Sequence, residues 1–574
     1  MLKIGSNFKL MKKVKETLPY ILVSLIFGMI FTFLTLGGLS RLNPKRFDWI
    51  FGDNTTAYIA QLFYLSDKWR FPLAANPNYG SENTSSLFYT GPSVPIAILQ
   101  KLLRINPELQ FFGVWILLVF SLQIFLGLKI AREFNLNWIS AIPFSILFVT
   151  PFLLERFQWH FWLTAHFLIL WAILIGIRYF KTNKLQTFST VSLTCLSYLI
   201  NGYIFTMVVI VIGFVFFDSL LHKAILRIKI FRHLGIISFS VLLTMWITDG
   251  VRRQASAYES FKMNFPGPHY GGFPYNLLSV INPEVGLIPY SFTTNTEFTT
   301  TNFSSLKLSL GTTEGAYDGF LYLGLGIISL VIALLIAARI NHTRVLAIKD
   351  KITKRIFWSL TSILFLFAVT FNIGFGSAEL RLPFPYLGKW ALSIFRASGR
   401  FMWVIAYLII IFTVIKLSTF MKKRRFVTVI WVALILQCID MSNPIYERYV
   451  ALRDEKIPVL QFVGKDYDKF KAISAGKTKV ISYPPGHGSP NWAKLNYWAW
   501  KNDMTTNTIL TSRINFDLLK RETAKTFEIF CNGNLNAKSI FVLNMEYLES
   551  FNGCNLHKYH YGIINNQAFY WIPN

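Results

Sequence analysis

Long apolar runs alternate with short clusters of Lys and Arg over the first three quarters of the chain. The runs cover residues 18–39, 111–130, 138–154, 161–177, 188–200, 204–221, 234–248, 320–338, 356–371, 401–417 and 426–439. A bilayer core takes about 20 apolar residues as a helix, so this pattern predicts about eleven transmembrane crossings, the last of them short. The first run follows a basic start and lacks a small-residue cleavage site, which reads as a retained signal anchor. Beyond residue 440 the periodicity changes. Lys479-Val-Ile-Ser-Tyr483 and Ser539-Ile-Phe-Val-Leu543 alternate like strands, and residues 512–528 read as helix. The expected fold is therefore an all-α polytopic membrane bundle, residues 1–439, followed by a small extracytoplasmic α/β domain, residues 440–574.

Composition supports a lipid environment. Hydrophobic residues make up 53%, aromatic residues 17% and charged residues only 15%, where a soluble chain averages about 25% charged. The net charge of +28 first suggests a polyanion partner. Most of the excess, however, lies in the clusters between apolar runs, so it reads as the positive-inside bias and not as a nucleic-acid face. With the amino terminus inside, the segments 40–110, 249–319, 372–400 and 440–574 fall on the far side. Functional residues are expected there, because long loops on a rigid scaffold commonly carry sites. Cys195 and Cys438 sit in apolar runs as small hydrophobes. Cys531 and Cys554 share the outside segment, where an oxidising compartment would permit a disulfide. No CxxC, zinc spacing, P-loop or GxGxxG occurs.

Candidate chemistry gathers at the outer rim. Asp48 and Asp53 open the first outside loop, and the stretch 55–69 that follows reads as an amphipathic helix lying on the membrane surface, with residues 94–103 as a second. A partly desolvated carboxylate there suits a general base toward a hydroxyl, although Asp53-Asn-Thr-Thr also makes a good helix start. Asn76 and Tyr79 supply the amide and aromatic groups that sugar binding uses. Glu155, Arg156, His160 and His166 surround the start of the fourth run, Arg396 and Arg400 precede the tenth, and Asp249, Arg252 and Arg253 follow the seventh. Polar groups beside a bilayer are costly and commonly functional, and arginines can grip phosphate through two parallel hydrogen bonds. His160 and His166 are six apart, off one helical face, so a metal pair is not expected.

The motifs Asp48-Trp-Ile-Phe-Gly-Asp53, Trp69-Arg-Phe-Pro72, Asn76-Pro-Asn-Tyr-Gly80, residues 156–166, Glu314-Gly-Ala-Tyr317 and Phe395-Arg-Ala-Ser-Gly-Arg-Phe401 resemble an uncharacterised bacterial multi-pass family. That family is itself similar to the GT-C superfamily of polyprenyl-phosphate-dependent glycosyltransferases. The resemblance covers roughly residues 15–440. It implies a GT-C-like bundle in the bacterial plasma membrane, with Asp53 as catalytic base and Asp48 as its alternative or companion. Arg396, Arg400, Arg156, His160, His166, Asn76, Tyr79 and Glu314 are the expected substrate-binding residues. The donor would be a polyprenyl-phosphate-linked sugar, and the acceptor a glycan, lipid or protein of the envelope. Transfer would invert the anomeric centre without a required cofactor, a divalent ion being conceivable where Asp48 and Asp53 converge. The rival readings are a transporter of lipid-linked glycans, which would need polar residues along the spans and broken helices, and a non-catalytic assembly protein.

Overall fold

The structure, a computed structural model, describes residues 2–50, 52–76, 85–90, 94–222, 225–248, 270–286, 301–341, 351–385, 388, 392, 395–454, 460–486, 491–508, 516–565 and 567–573. Among these, seven helices are long and apolar enough to cross a membrane: Glu16–Leu36, Phe112–Glu133, Phe161–Thr182, Gly202–His222, Arg227–Thr248, Ser398–Phe420 and Lys423–Arg453. An eighth span arises if Trp138–Ile146 and Pro151–Gln158, bent by 42° to each other, count together. This is the arrangement of a multi-pass membrane protein, with fewer full-length spans than the eleven expected.

The difference has local causes. The run 320–338 begins with extended backbone, and helix starts only at Leu325, giving the 16-residue helix Leu325–Ile340. Its start is fixed by a neighbouring helix. Gln437 accepts from the Gly326 and Ile327 amides, and Asp440 from the Leu325 amide, satisfying donors that a helix start leaves open. A Cβ on Gly326 would lie 2.1 Å from the Ala433 carbonyl, so glycine is required for this approach. Run 188–200 forms a helix of only 14 residues, Thr187–Ile200, and run 356–371 lies in the helix Lys351–Val369. Run 138–154 breaks where Thr150 caps a new helix, its hydroxyl accepting from the Leu153 amide, with Pro151 at the first helical position. The final run, expected to be short, instead belongs to the 32-residue helix Lys423–Asp454, which continues through residue 440.

By its contacts the chain divides into two compact units. One comprises Met1–Asn43, Phe111–Val241 and Gly267–Glu455, and the other Pro44–Gln110, Leu242–Pro266 and Lys456–Asn574. The first unit is the helical bundle. The second joins residues 44–110 to the carboxyl-terminal domain. In it, the helix Asp53–Ser66 is buried from Asn54 to Tyr64, so the expectation that it lies on a membrane surface is not met. Residues distant in sequence lie against it: Tyr497 meets Phe47 beside it in a tilted ring pair 5.8 Å apart, and Trp500 Nε1 donates to Ser66 Oγ at 2.8 Å.

The carboxyl-terminal domain holds the expected small sheet. Its strands run in the order Thr505–Thr506, Lys479–Tyr483, Ser539–Asn544, Gln567–Trp571, His560–Ile564. The first three are parallel and the last two pairings antiparallel. The central strand Ser539–Asn544 is buried at every position, as an apolar run covered on both faces should be. The helix Phe516–Cys531 packs Phe530 flat on Phe541, centroids 3.7 Å apart. Cys531 and Cys554 form a disulfide.

Candidate functional site

Two glycines bring the charged residues of the helical unit together. A Cβ on Gly399 would sit 2.7 Å from Gly319 Cα, and one on Gly319 would meet the Pro274 carbonyl at 2.6 Å. Without side chains there, the turns Ala316–Gly319 and Ser398–Phe401 touch backbone to backbone, which lays Asp318 beside Arg400. The helix Pro151–Trp159 delivers Arg156 to the same carboxylate. Asp318 Oδ1 accepts from Arg156 Nη1 at 2.9 Å and from Arg400 Nε and Nη2 at 2.9 and 2.5 Å. Arg156 Nη2 also donates to the Tyr317 carbonyl at 2.8 Å, and its Nε contacts the Glu155 carboxylate. All four charged side chains are buried.

Burial alone would push the Asp318 carboxyl up, but the Arg400 and Arg156 guanidiniums beside it hold it well below the usual carboxylate range. Asp318 is therefore an ionised anchor for two arginines, and a poor proton acceptor. The Arg400 guanidinium also lies 4.7 Å from the centroid of the Tyr203 ring. Arg396, half-buried, rests over Phe273 at 6.0 Å and has no carboxylate partner among the described residues.

Two further polar groups cross the bundle interior. His166 Nδ1 shares a 2.8 Å hydrogen bond with Tyr407 Oη, which also accepts from Gln123 Nε2 at 3.0 Å. Arg448 donates to the Thr35 and Phe157 carbonyls at 3.2 and 2.6 Å, while Arg41 donates to those of Leu36 and Leu452. These two arginines pin helix ends where free carbonyls collect and the helix dipole favours a cation.

Of the expected site residues, Arg156 and Arg400 converge, with Arg396 close by in sequence. His166 is buried and bound to Tyr407. His160 is half-buried at the junction between the helix Pro151–Trp159 and the turn Phe161–Thr164. Glu314 is exposed and stands apart from the ion cluster; the carboxylate in that cluster is Asp318, four residues on, which no local sequence signal marks. In the second unit, Asp53 is the first residue of the helix Asp53–Ser66, where its charge suits the positive end of the dipole. Asp48 accepts from Arg46 Nε and Nη2 at 3.3 and 2.9 Å. Asn76 is fully buried and donates to the Ala60 carbonyl at 2.9 Å, a contact that ties the loop to the helix Asp53–Ser66. Tyr79, Asp249, Arg252 and Arg253 lie outside the described residues. No group of three metal-binding side chains occurs among the described residues.

The family described as "Domain of unknown function (DUF6311)" matches residues 25–442, and the DUF6311 C-terminal domain matches residues 469–572. The chain belongs to the DUF6311 family. No curated protein matches it. Within this DUF6311 chain the first match takes in both the ion cluster and the Asp53 loop, and the second takes in the sheet domain.

Proposed function

We propose that this DUF6311 protein is a plasma-membrane glycosyltransferase of GT-C type, moving a sugar from a polyprenyl-phosphate carrier to an envelope acceptor on the extracytoplasmic face. One observation carries the reading. Arg156 and Arg400 are locked on one buried carboxylate, whereas Arg396 is half-buried over an aromatic ring and has no acid partner among the described residues. A cation held this way at the end of an apolar helix suits the phosphate of a lipid carrier. The Cys531–Cys554 disulfide supports an oxidising location for the second unit.

Asp53 takes the proton of the acceptor hydroxyl as that oxygen bonds to the anomeric carbon. The bond from carbon to the phosphate oxygen breaks, and polyprenyl phosphate leaves with the electron pair. Inversion follows from the single displacement. The test is transfer by purified protein in proteoliposomes, using a pool of labelled polyprenyl-phosphate sugars and envelope acceptors. Asp53→Asn should abolish transfer while leaving donor binding intact, and Arg396→Ala should weaken donor binding. Full transfer by Asp53→Asn would remove the base assignment.

A second reading, a transporter of lipid-linked glycans, draws on the 42° break between Trp138–Ile146 and Pro151–Gln158 and on the Gln123–Tyr407–His166 chain inside the bundle. Broken helices and buried polar chains are transporter features. Movement of labelled carrier across the proteoliposome membrane without any sugar transfer would favour it.

A further inference from the structure

The second unit has an outer face built the wrong way round for water. In the helix Val94–Leu102 the only cation, Lys101, points inward: its Nζ donates to the carbonyls of Tyr64 and Lys68 at 2.7 and 3.1 Å. The residues pointing outward are apolar, with Leu99 52%, Leu102 66% and the following Leu103 60% exposed. A helix on a water-facing surface buries its leucines and solvates its lysine. This inversion is expected where the outer medium is hydrocarbon.

The same face extends through the loop before residue 76. Lys101 Nζ lies 5.3 Å from the Trp69 ring, so Trp69 borders the helix. Trp69 and Phe71 are both about half-exposed. Phe71 packs edge-on against Trp246 at 5.0 Å, and the Leu73 amide donates to the Ile247 carbonyl at 2.8 Å. Trp246 and Ile247 end the helix Arg227–Thr248, which has the length and composition of a membrane span, and its Leu242, Leu243 and Trp246 side chains are themselves exposed. The rim is thus continuous with the exposed apolar end of a helix long and apolar enough to span a membrane. Lys68 and Arg104, both exposed, flank the apolar residues, a combination that suits anionic headgroups above and acyl chains below.

We propose that Trp69, Phe71, Leu99, Leu102 and Leu103 form a membrane-inserted rim on the second unit, seated among lipid acyl chains with Lys68 and Arg104 at the headgroups. The proposal is independent of the glycosyltransferase reading. The sequence pattern places residues 55–69 and 94–103 at the membrane surface; the rim keeps Trp69, Leu99, Leu102 and Leu103, excludes the helix Asp53–Ser66 and adds Phe71.

The test uses the full-length protein in nanodiscs of phosphatidylcholine and phosphatidylglycerol. The free thiols Cys195 and Cys438 are replaced by Ser and the disulfide is kept. Single cysteines introduced as Phe71→Cys, Leu99→Cys and Leu102→Cys carry a spin label, and collision rates with oxygen, which concentrates in hydrocarbon, are compared with those of a water-soluble nickel chelate. Leu99 and Leu102 are exposed, and Phe71→Cys gives up only the edge contact with Trp246. Oxygen should exceed the chelate at all three positions, with the reverse at Lys520→Cys, an exposed position on the helix Phe516–Cys531. Chelate dominance at positions 99 and 102 would overturn the proposal by showing a water-facing helix. Protection from both reagents would overturn it by showing a protein-covered face, such as one buried by a second copy.

Discussion

Replacing Asp318 by Asn removes one charge and almost no volume, so it isolates what the buried carboxylate does. Three guanidinium nitrogens, from Arg156 and Arg400, converge on its Oδ1. In Asp318→Asn, Arg156 keeps its Glu155 contact and the Tyr317 carbonyl. Arg400 keeps the Tyr203 ring and a neutral amide acceptor, but no counter-charge. The variant therefore strands one buried cation, not two, and the expected loss is the value for breaking a single buried pair, about 3–5 kcal/mol. Adding Arg400→Met removes the stranded charge, so the double variant should regain roughly 2 kcal/mol, within the coupling range of contacting residues. The pH dependence has a defined sign. The Asp318 carboxyl sits below its ordinary value in the fold, so its stabilisation is complete above the unfolded value of about 3.9 and fades as pH falls through the depressed folded value. The gap between wild type and Asp318→Asn should stay constant from neutral pH to mildly acid pH and narrow below pH ~4. Equilibrium unfolding in detergent micelles, followed by near-ultraviolet circular dichroism, measures all three quantities. A loss below about 1 kcal/mol, or strict additivity in the double variant, would refute the account of Asp318 as counter-ion.

Three other perturbations test separate parts of the fold. Cys531→Ser together with Cys554→Ser opens a loop of sequence separation 23 and should cost the carboxyl-terminal domain about 3 kcal/mol, read from the unfolding midpoint of the full chain. Phe530→Ala removes a ring stacked on Phe541 and Tyr559 at 3.7 and 5.1 Å and should cost roughly 3–5 kcal/mol, with protease sensitivity confined to the carboxyl-terminal domain. Asp440→Ala deprives Ser304 Oγ, Tyr322 Oη and the Leu325 amide of their acceptor. A loss of about 2–3 kcal/mol and faster amide exchange at Leu325–Ile328 are expected, whereas unchanged exchange would show that the helix start does not depend on Asp440.

Hydrophobic runs alone placed most of the helices, because lipid demands a long apolar segment whatever surrounds it. They overcounted full spans at 320–338, where the Gly324 N-cap and the Asp440 and Gln437 acceptors delay the helix start to Leu325. Those acceptors sit more than a hundred residues away in sequence, so no local pattern reveals them. The strands at 479 and 539 were legible because alternation and β-branched residues suffice to mark a strand.

Arg156 and Arg400 stood out in the sequence because charge amid apolar residues is rare. Their shared partner did not, since Asp318 lies in a glycine-flanked loop where an aspartate is ordinary, 162 residues from one arginine and 82 from the other. Asn76 suggested a sugar ligand by residue type, and nothing local shows that its amide is tied to the Ala60 carbonyl. What the sequence by itself determined is the environment of each segment, because transfer between water and hydrocarbon depends on composition along the chain. Which charges neutralise one another, and which loop residues turn inward, was decided only in three dimensions. Electrostatic pairing and burial depend on distances through space, and those are set by close approaches such as Gly319 on Gly399.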